Sequence, residues 1–174
     1  MLDKTLDEKL SKIKVLAMDV DGTMTDGAMY FSPSGEALKR FSTRDGMGLM
    51  LLRKGGLKCL MITSEDSQIA KARAEKLKLE YVYLGSRDKS SDILEFCKIN
   101  AYELSEICYI GDDVNDEHVM KLCGFSACPN DAVEIIKNTV DYICKNGGGN
   151  GAIRELSEMI LISQNKKINL TENW

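Results

Sequence analysis

Short apolar runs rich in β-branched residues alternate along the chain with segments whose apolar positions recur at helical spacing. The runs predict strands over Val15–Asp19, Lys58–Ile62, Tyr81–Tyr83, Ile107–Ile110, Phe125–Ala127 and Tyr142–Ile143. Helices are expected over 46–54, 67–77, 90–99, 116–122, 132–138 and 152–162. Strands that alternate with helices in this way predict an α/β fold, a mostly parallel sheet covered by helices. Gly55-Gly56 supplies a stop for the first of these helices, and Asp45 is placed to cap its start. One stretch breaks the alternation. Ala28–Phe31 and Leu38–Phe41 read as two short strands joined by Ser32-Pro33-Ser34-Gly35-Glu36, a link whose Pro and Gly favour a turn. A β-hairpin flap over 27–42 is expected there, with a plain surface loop as the alternative. No repeat, low-complexity segment or insertion long enough for a second substrate-covering domain is seen. One domain over 1–165 and a polar tail over Lys166–Trp174 are expected.

Composition narrows the class. The chain has 174 residues, 44% hydrophobic and 29% charged, which is an ordinary globular balance. Its net charge is 23 − 27 = −4 with no basic run, which argues against a nucleic-acid partner. The six cysteines form no Cys-x-x-Cys pair, and the one histidine is His118, so zinc-ligand spacing is absent. Reduced, structural thiols suit the cytosol. No run approaches about 18 apolar residues, so a membrane partner is not expected. The start of the chain, with Asp3, Asp7 and Glu8, lacks the form of a signal peptide, and a cytoplasmic location is expected.

The chemistry gathers at strand ends. Lys14-Val-Leu-Ala-Met-Asp19-Val-Asp21-Gly22-Thr23-Met-Thr25-Asp26 is an apolar strand ending in two carboxylates one residue apart. Ligands of open parallel sheets bind at the carboxyl ends of strands, and alternation places Asp19 and Asp21 on one side. Like charges so close need a cation or a proton between them, and magnesium is the hard ion that oxygen ligands satisfy. A second acidic cluster, Gly111-Asp112-Asp113-Val114-Asn115-Asp116, follows the strand Ile107–Ile110. Adjacent strand ends would bring Asp112 and Asp113 to the same ion, although Asn115 or Asp116 would also serve as a helix cap. Between the clusters, Thr63 follows an apolar strand and offers a hydroxyl and an N–H to phosphate. Lys89 opens a helix and offsets negative charge.

Asp19-x-Asp21-Gly22-Thr23-x-Thr25, then Thr63, then Lys89, then Gly111-Asp112-Asp113-x-x-Asp116 resembles the four-part signature of the haloacid dehalogenase-like phosphatases. The resemblance spans Lys14 to about Ile162. It implies a Rossmann-like sheet without a cap domain, with Asp19 as nucleophile and Asp21 as general acid and base. Mg2+ would be held by Asp19, Asp21 through its backbone carbonyl, and Asp112. Thr63 and Lys89 complete the phosphate cradle, while Asp113 and Asp116 orient metal-bound water or Lys89. The lack of a cap, the flap, Arg44-Asp45-Gly46 and Gly147–Gly151 with Arg154 and Glu155 resemble a small, tetrameric branch. That branch acts on phosphates of 3-deoxy-2-keto sugar acids. Its octulosonate 8-phosphate members carry a Gly-Arg pair after the threonine, where this chain has Ser64-Glu65. With Arg73 and Lys76, Glu65 resembles the nononate 9-phosphate members instead, so a nononate 9-phosphate is the expected substrate and octulosonate 8-phosphate the alternative. Arg73 and Lys76 would meet the substrate carboxylate and Glu65 its hydroxyls, although a solvated helix face explains the same residues. Thr23, Thr25, Ser64 and Arg44 are expected against the substrate as well. The resemblance also implies that Gly147–Gly151 reaches a neighbouring subunit, with Arg154 at substrate or partner.

Two rival readings are weaker. A phospho-accepting signalling receiver also uses acids, a hydroxyl and a lysine, but its acidic pair lies at the first strand and its lysine comes late. Here Lys89 precedes the second acidic cluster. An idle scaffold of the same fold would not need every catalytic group in place.

Overall fold

A computed structural model describes residues 4–169. Of the tail expected over 166–174, residues 170–174 lie outside the described residues. The chain runs α1 (Lys4–Leu10), β1 (Val15–Met18), β2 (Thr25–Ser32), β3 (Gly35–Phe41), α2 (Thr43–Lys54), β4 (Lys58–Ile62), α3 (Gln68–Leu77) and β5 (Tyr81–Tyr83). It continues through α4 (Lys89–Asn100), β6 (Ile107–Ile110), α5 (Glu117–Leu122), β7 (Phe125–Cys128), α6 (Glu134–Lys137), β8 (Tyr142–Ile143) and α7 (Ala152–Ser163). Six strands form one parallel sheet in the order β5-β4-β1-β6-β7-β8, and β2 pairs antiparallel with β3 as a separate hairpin.

The central strands β1 and β6 are buried at every position, and β4 at every position after Lys58, because both faces are covered. Along β1, Leu16 and Met18 enter the core under α2 and α7, while Val15 and Ala17 enter the core with Phe96 of α4 and Val119 of α5. β4 and β6 alternate in the same way, with Cys59 and Met61 or Cys108 and Ile110 on the first side. Continuous apolar runs of this kind are what a two-sided parallel sheet requires. All six cysteines are free, and five are buried among these side chains. No helix among the described residues is long and apolar enough to cross a membrane.

The hairpin is longer than expected, starting at Thr25 and turning at Pro33-Ser34. Arg40 on β3 ties it to the glycine-rich segment, donating to Asp26 at 3.1 Å, to the Gly149 carbonyl at 3.3 Å and to Asn150 at 2.8 Å. That segment lies on its own chain's loop after β1. The Gly149 N–H donates to the Thr23 carbonyl at 3.0 Å, and a Cβ on Gly148 would sit 1.8 Å from the Gly22 carbonyl oxygen. Only glycine permits that approach. α1 was not foreseen, and α6 is a single turn rather than a helix over 132–138.

Asp45 also departs from expectation. Ser42 caps α2, its hydroxyl accepting from the Arg44 and Asp45 N–H groups. Asp45 sits inside the first turn and caps a different helix. Its carboxylate accepts from the Gly151 N–H at 3.2 Å and the Arg154 N–H at 2.9 Å, at the start of α7, where Gly151 has no side chain to do so. Asp45→Ala is expected to lower the unfolding free energy by about 1–2 kcal/mol. Urea titration reads this, and an unchanged midpoint would deny that Asp45 holds α7.

Candidate active site

β1 and β6 are adjacent, so the loops that follow them share one edge of the sheet. Asp19 follows β1, its N–H still bonded to the Ile110 carbonyl at 3.0 Å. The chain then turns sharply through Gly22, whose φ of +86° suits glycine. A Cβ there would lie 2.1 Å from Asp112 Oδ2, so a side chain would fill the place the two acidic loops share. Thr25 staples this turn. Its hydroxyl donates to the Val20 carbonyl and accepts from the Gly22 and Gly27 N–H groups. Thr23 Oγ1 donates to Asp112 Oδ1 at 2.9 Å. Both threonines are fully buried. They were expected against the substrate; instead their hydroxyls shape the loop and aim Asp112.

Oxygen atoms of Asp19, Asp112 and Asp116 lie within 4.8 Å of one another. Lys89, its side chain 2% exposed, donates to Asp19 Oδ1 at 2.6 Å and to Asp116 Oδ1 at 2.7 Å. Asp116 is saturated by further donors: the Tyr109 hydroxyl at 2.7 Å on Oδ1 and the Asp112 N–H at 3.2 Å on Oδ2. It makes no side-chain cap to α5. Asp113 is exposed and accepts from the Val114 N–H. Tyr109 was missed because one tyrosine inside an apolar strand carries no sequence signal.

Burial raises Asp19 to about 7, helped by Asp116 and opposed by Lys89. Burial likewise raises Asp112 to about 7; the Thr23 hydroxyl opposes this, and Asp116 and Asp113 add to it. Burial works against the charge on Lys89, yet Asp19 and Asp116 outweigh it and hold the ammonium above its usual range. One buried cation facing three carboxylates leaves negative charge over. The donors are all carboxylate oxygens, without sulfur or imidazole, and that set fits magnesium.

A stability consequence follows from the sign of these shifts. An acid whose folded pKa lies above its unfolded value costs nothing below the unfolded value, and its penalty builds as pH rises to the folded value. For Asp19 and Asp112 that window runs from 3.8 to about 7. Magnesium needs the ionised forms, so protons compete with it throughout the window. It is expected to raise the melting temperature by several degrees at about pH 8 and scarcely at about pH 5. Calorimetry with and without the ion checks this; an equal effect at both values would contradict it.

The remaining expected residues scatter. Thr63 is buried beside the cluster, but its N–H, expected to hold phosphate, donates to the Tyr83 carbonyl at 3.0 Å. Its hydroxyl accepts from the Glu65 N–H at 3.2 Å. Ser64 Oγ accepts from Asn115 Nδ2 at 3.4 Å, and Glu65 is exposed. Arg73 is turned to its own chain, donating to the Ser42 carbonyl at 2.9 Å and lying over Phe41. Arg73 and Lys76 line a groove between α2 and α3, while Arg44 and Arg154 line another beside α7. Neither groove includes Asp19 or Asp112. Arg154 pairs with Glu158 at 2.6 Å. Asp21 forms an ion pair with Lys39 of the hairpin, a residue the sequence reading passed over.

A sequence profile of haloacid dehalogenase-like hydrolases matches residues 60–156. A 3-deoxy-D-manno-octulosonate 8-phosphate phosphatase of Haemophilus influenzae is 35% identical over 161 residues, 92% of this chain and 89% of the relative. The chain belongs to the haloacid dehalogenase-like hydrolase family. Solved members superpose closely. The octulosonate 8-phosphate phosphatase of Yersinia pestis gives a TM-score of 0.92 at 32% identity, covering 95% of this chain and 89% of that one. The Moraxella catarrhalis phosphatase, in complex with a magnesium ion, a phosphate ion and a KDO molecule, gives 0.91 at 35% identity, covering 94% of each chain. Within this family the chain is a phosphoric monoester hydrolase.

Proposed function

We propose that the chain is a magnesium-dependent phosphatase of a 3-deoxy-2-keto sugar acid phosphate, with 3-deoxy-D-manno-octulosonate 8-phosphate its preferred substrate. The buried Asp19–Lys89–Asp116 ion pair set beside Asp112 is the observation that carries the chemistry. For the substrate, the support is the activity named for relatives that match nearly the whole chain. This reverses the order expected from the sequence. Arg73, one of the residues that pointed to the nononate, donates to the Ser42 carbonyl and lies over the Phe41 ring of its own chain. Ser64-Glu65 stands where the octulosonate members carry a Gly-Arg pair, and that observation keeps nononate 9-phosphate as the second reading.

Asp19, Asp112 and the Asp21 carbonyl would hold the magnesium, which when bound offsets charge on the phosphoryl oxygens. An Asp19 oxygen attacks phosphorus in line and the phosphorus–oxygen bond to the sugar breaks. Asp21 gives its proton to the departing sugar oxygen. Asp21, now ionised, takes a proton from the water that attacks the acyl phosphate, so that inorganic phosphate leaves and Asp19 is restored. Lys89 and the Thr63 hydroxyl steady the phosphoryl group, and Asp116 fixes Lys89. Catalysis is mostly positioning and charge stabilisation. Asp113 serves the loop rather than the reaction.

A closed homotetramer is part of the proposal, since Phe31 and Leu38 at the hairpin are 68% and 64% exposed and need cover. A fully active monomer in light scattering would remove that part. Six free thiols support work in the cytoplasm. Side-by-side kinetics with magnesium on octulosonate 8-phosphate, nononate 9-phosphate and N-acetylneuraminate 9-phosphate test the substrate. The octulosonate is expected to lead by about tenfold or more in kcat/KM. A lead for the nononate transfers the assignment, and no phosphate release from any ester, p-nitrophenyl phosphate included, overturns the phosphatase.

A further inference from the structure

The geometry points to Lys39 as the positioning residue of Asp21, carried on the hairpin and latching it to the loop after β1. The inference rests on Asp21 being the general acid and base. β3 inverts the usual pattern, for Leu38 and Arg40 face outward while the Lys39 side chain is 0% exposed. A lysine stem buried to its end needs partners for its charge, and two carboxylates supply them. Lys39 Nζ pairs with Asp21 Oδ1 and, at 2.9 Å, with Glu36 Oε1. Glu36 in turn accepts from the Ser67 hydroxyl at 2.6 Å, and Ser67 is the N-cap of α3. A single chain of contacts thus runs from the loop after β1, across the hairpin, to the start of α3.

This latch engages one oxygen of Asp21 and leaves the other without a hydrogen bond among the described residues. The Asp21 side chain is 25% exposed, on a loop whose free rotation would spread that oxygen over several positions. An acid must sit within hydrogen-bond reach of the oxygen it protonates, and fixing one carboxylate oxygen fixes the other. Lys39 acts through Asp21.

The test uses two esters that differ in their need for an acid. A sugar alkoxide must be protonated as it leaves, whereas p-nitrophenolate leaves without a proton. Lys39→Met, which keeps length and bulk, is expected to lower kcat/KM, which reports the transfer to Asp19 before the water step that both esters share, by roughly ten- to hundredfold on octulosonate 8-phosphate and by less than about threefold on p-nitrophenyl phosphate. In an Asp21→Asn background, the same change is expected to cost nothing further on the sugar ester. Equal losses in kcat/KM on both esters, or a full further loss in that background, would reduce Lys39 to a packing residue. Glu36→Gln keeps the lysine and loosens its second anchor, and is expected to show the same ester selectivity at smaller size. It decides the matter if Lys39→Met does not fold. Should Asp21→Asn itself spare the sugar ester, the acid–base reading fails and the latch retains its own test in hydrogen exchange of the hairpin, which Lys39→Met is expected to speed. An unchanged exchange rate would refute the latch as well.

Discussion

Asp19→Asn is expected to lose turnover by about 10⁴-fold or more while leaving the fold intact, because no other group in the site can carry the phosphoryl. Asparagine keeps the shape of the side chain and removes a charge that lies beside Asp112 and Asp116. Lys89 retains Asp116 as a partner, so the denaturation midpoint should hold or rise slightly at neutral pH. Mass spectrometry of acid-quenched enzyme should find a phosphoryl adduct on the parent chain and none on the variant. Ordinary turnover by the variant would remove Asp19 from the mechanism.

Lys89→Met carries the largest expected loss of stability. The ammonium is the charge partner of both Asp19 and Asp116, which are almost wholly and wholly enclosed. Breaking such a buried pair from one side costs about 3–5 kcal/mol. The loss should shrink as pH falls towards about 5, because Asp19, already raised to about 7, then takes up a proton instead of standing unpaired. Magnesium should recover part of it, since a second cation reaches the same oxygens. Urea titrations at two pH values, with and without the ion, measure all three effects. A loss under about 1 kcal/mol without magnesium at neutral pH would mean that the three carboxylates do not depend on this lysine.

Much of the layout could be read before any coordinates. The strands β1, β4 and β6 were visible because burial on both faces leaves an unbroken apolar run, and a run is a property of neighbours in sequence. The acids at their ends were visible for the same reason. The starts of α3 and α4 were placed within one residue, where Ser67 and Asp88 bond N–H groups two or three residues on. Asp45 was misjudged because its partners, Gly151 and Arg154, are 106 and 109 residues away. Thr23 and Thr25 looked like substrate contacts, since a hydroxyl beside catalytic acids carries no mark of whether it faces solvent or the loop beneath. The spacing of Arg73 from Lys76 on α3 likewise says that they neighbour each other, not what either faces.

The sequence by itself determined the sheet, the order of the chemical groups and the strand ends on which they stand. Those follow from periodicity and from short-range sterics, which act over a few residues. Only the tertiary structure decided which carboxylate each lysine takes. Lys89 reaches Asp19 across 70 positions and Asp116 across 27, and Lys39 crosses from the hairpin to Asp21. Such pairings depend on where packing leaves a buried ammonium once its stem is enclosed, and many sequences with the same local pattern would place it elsewhere.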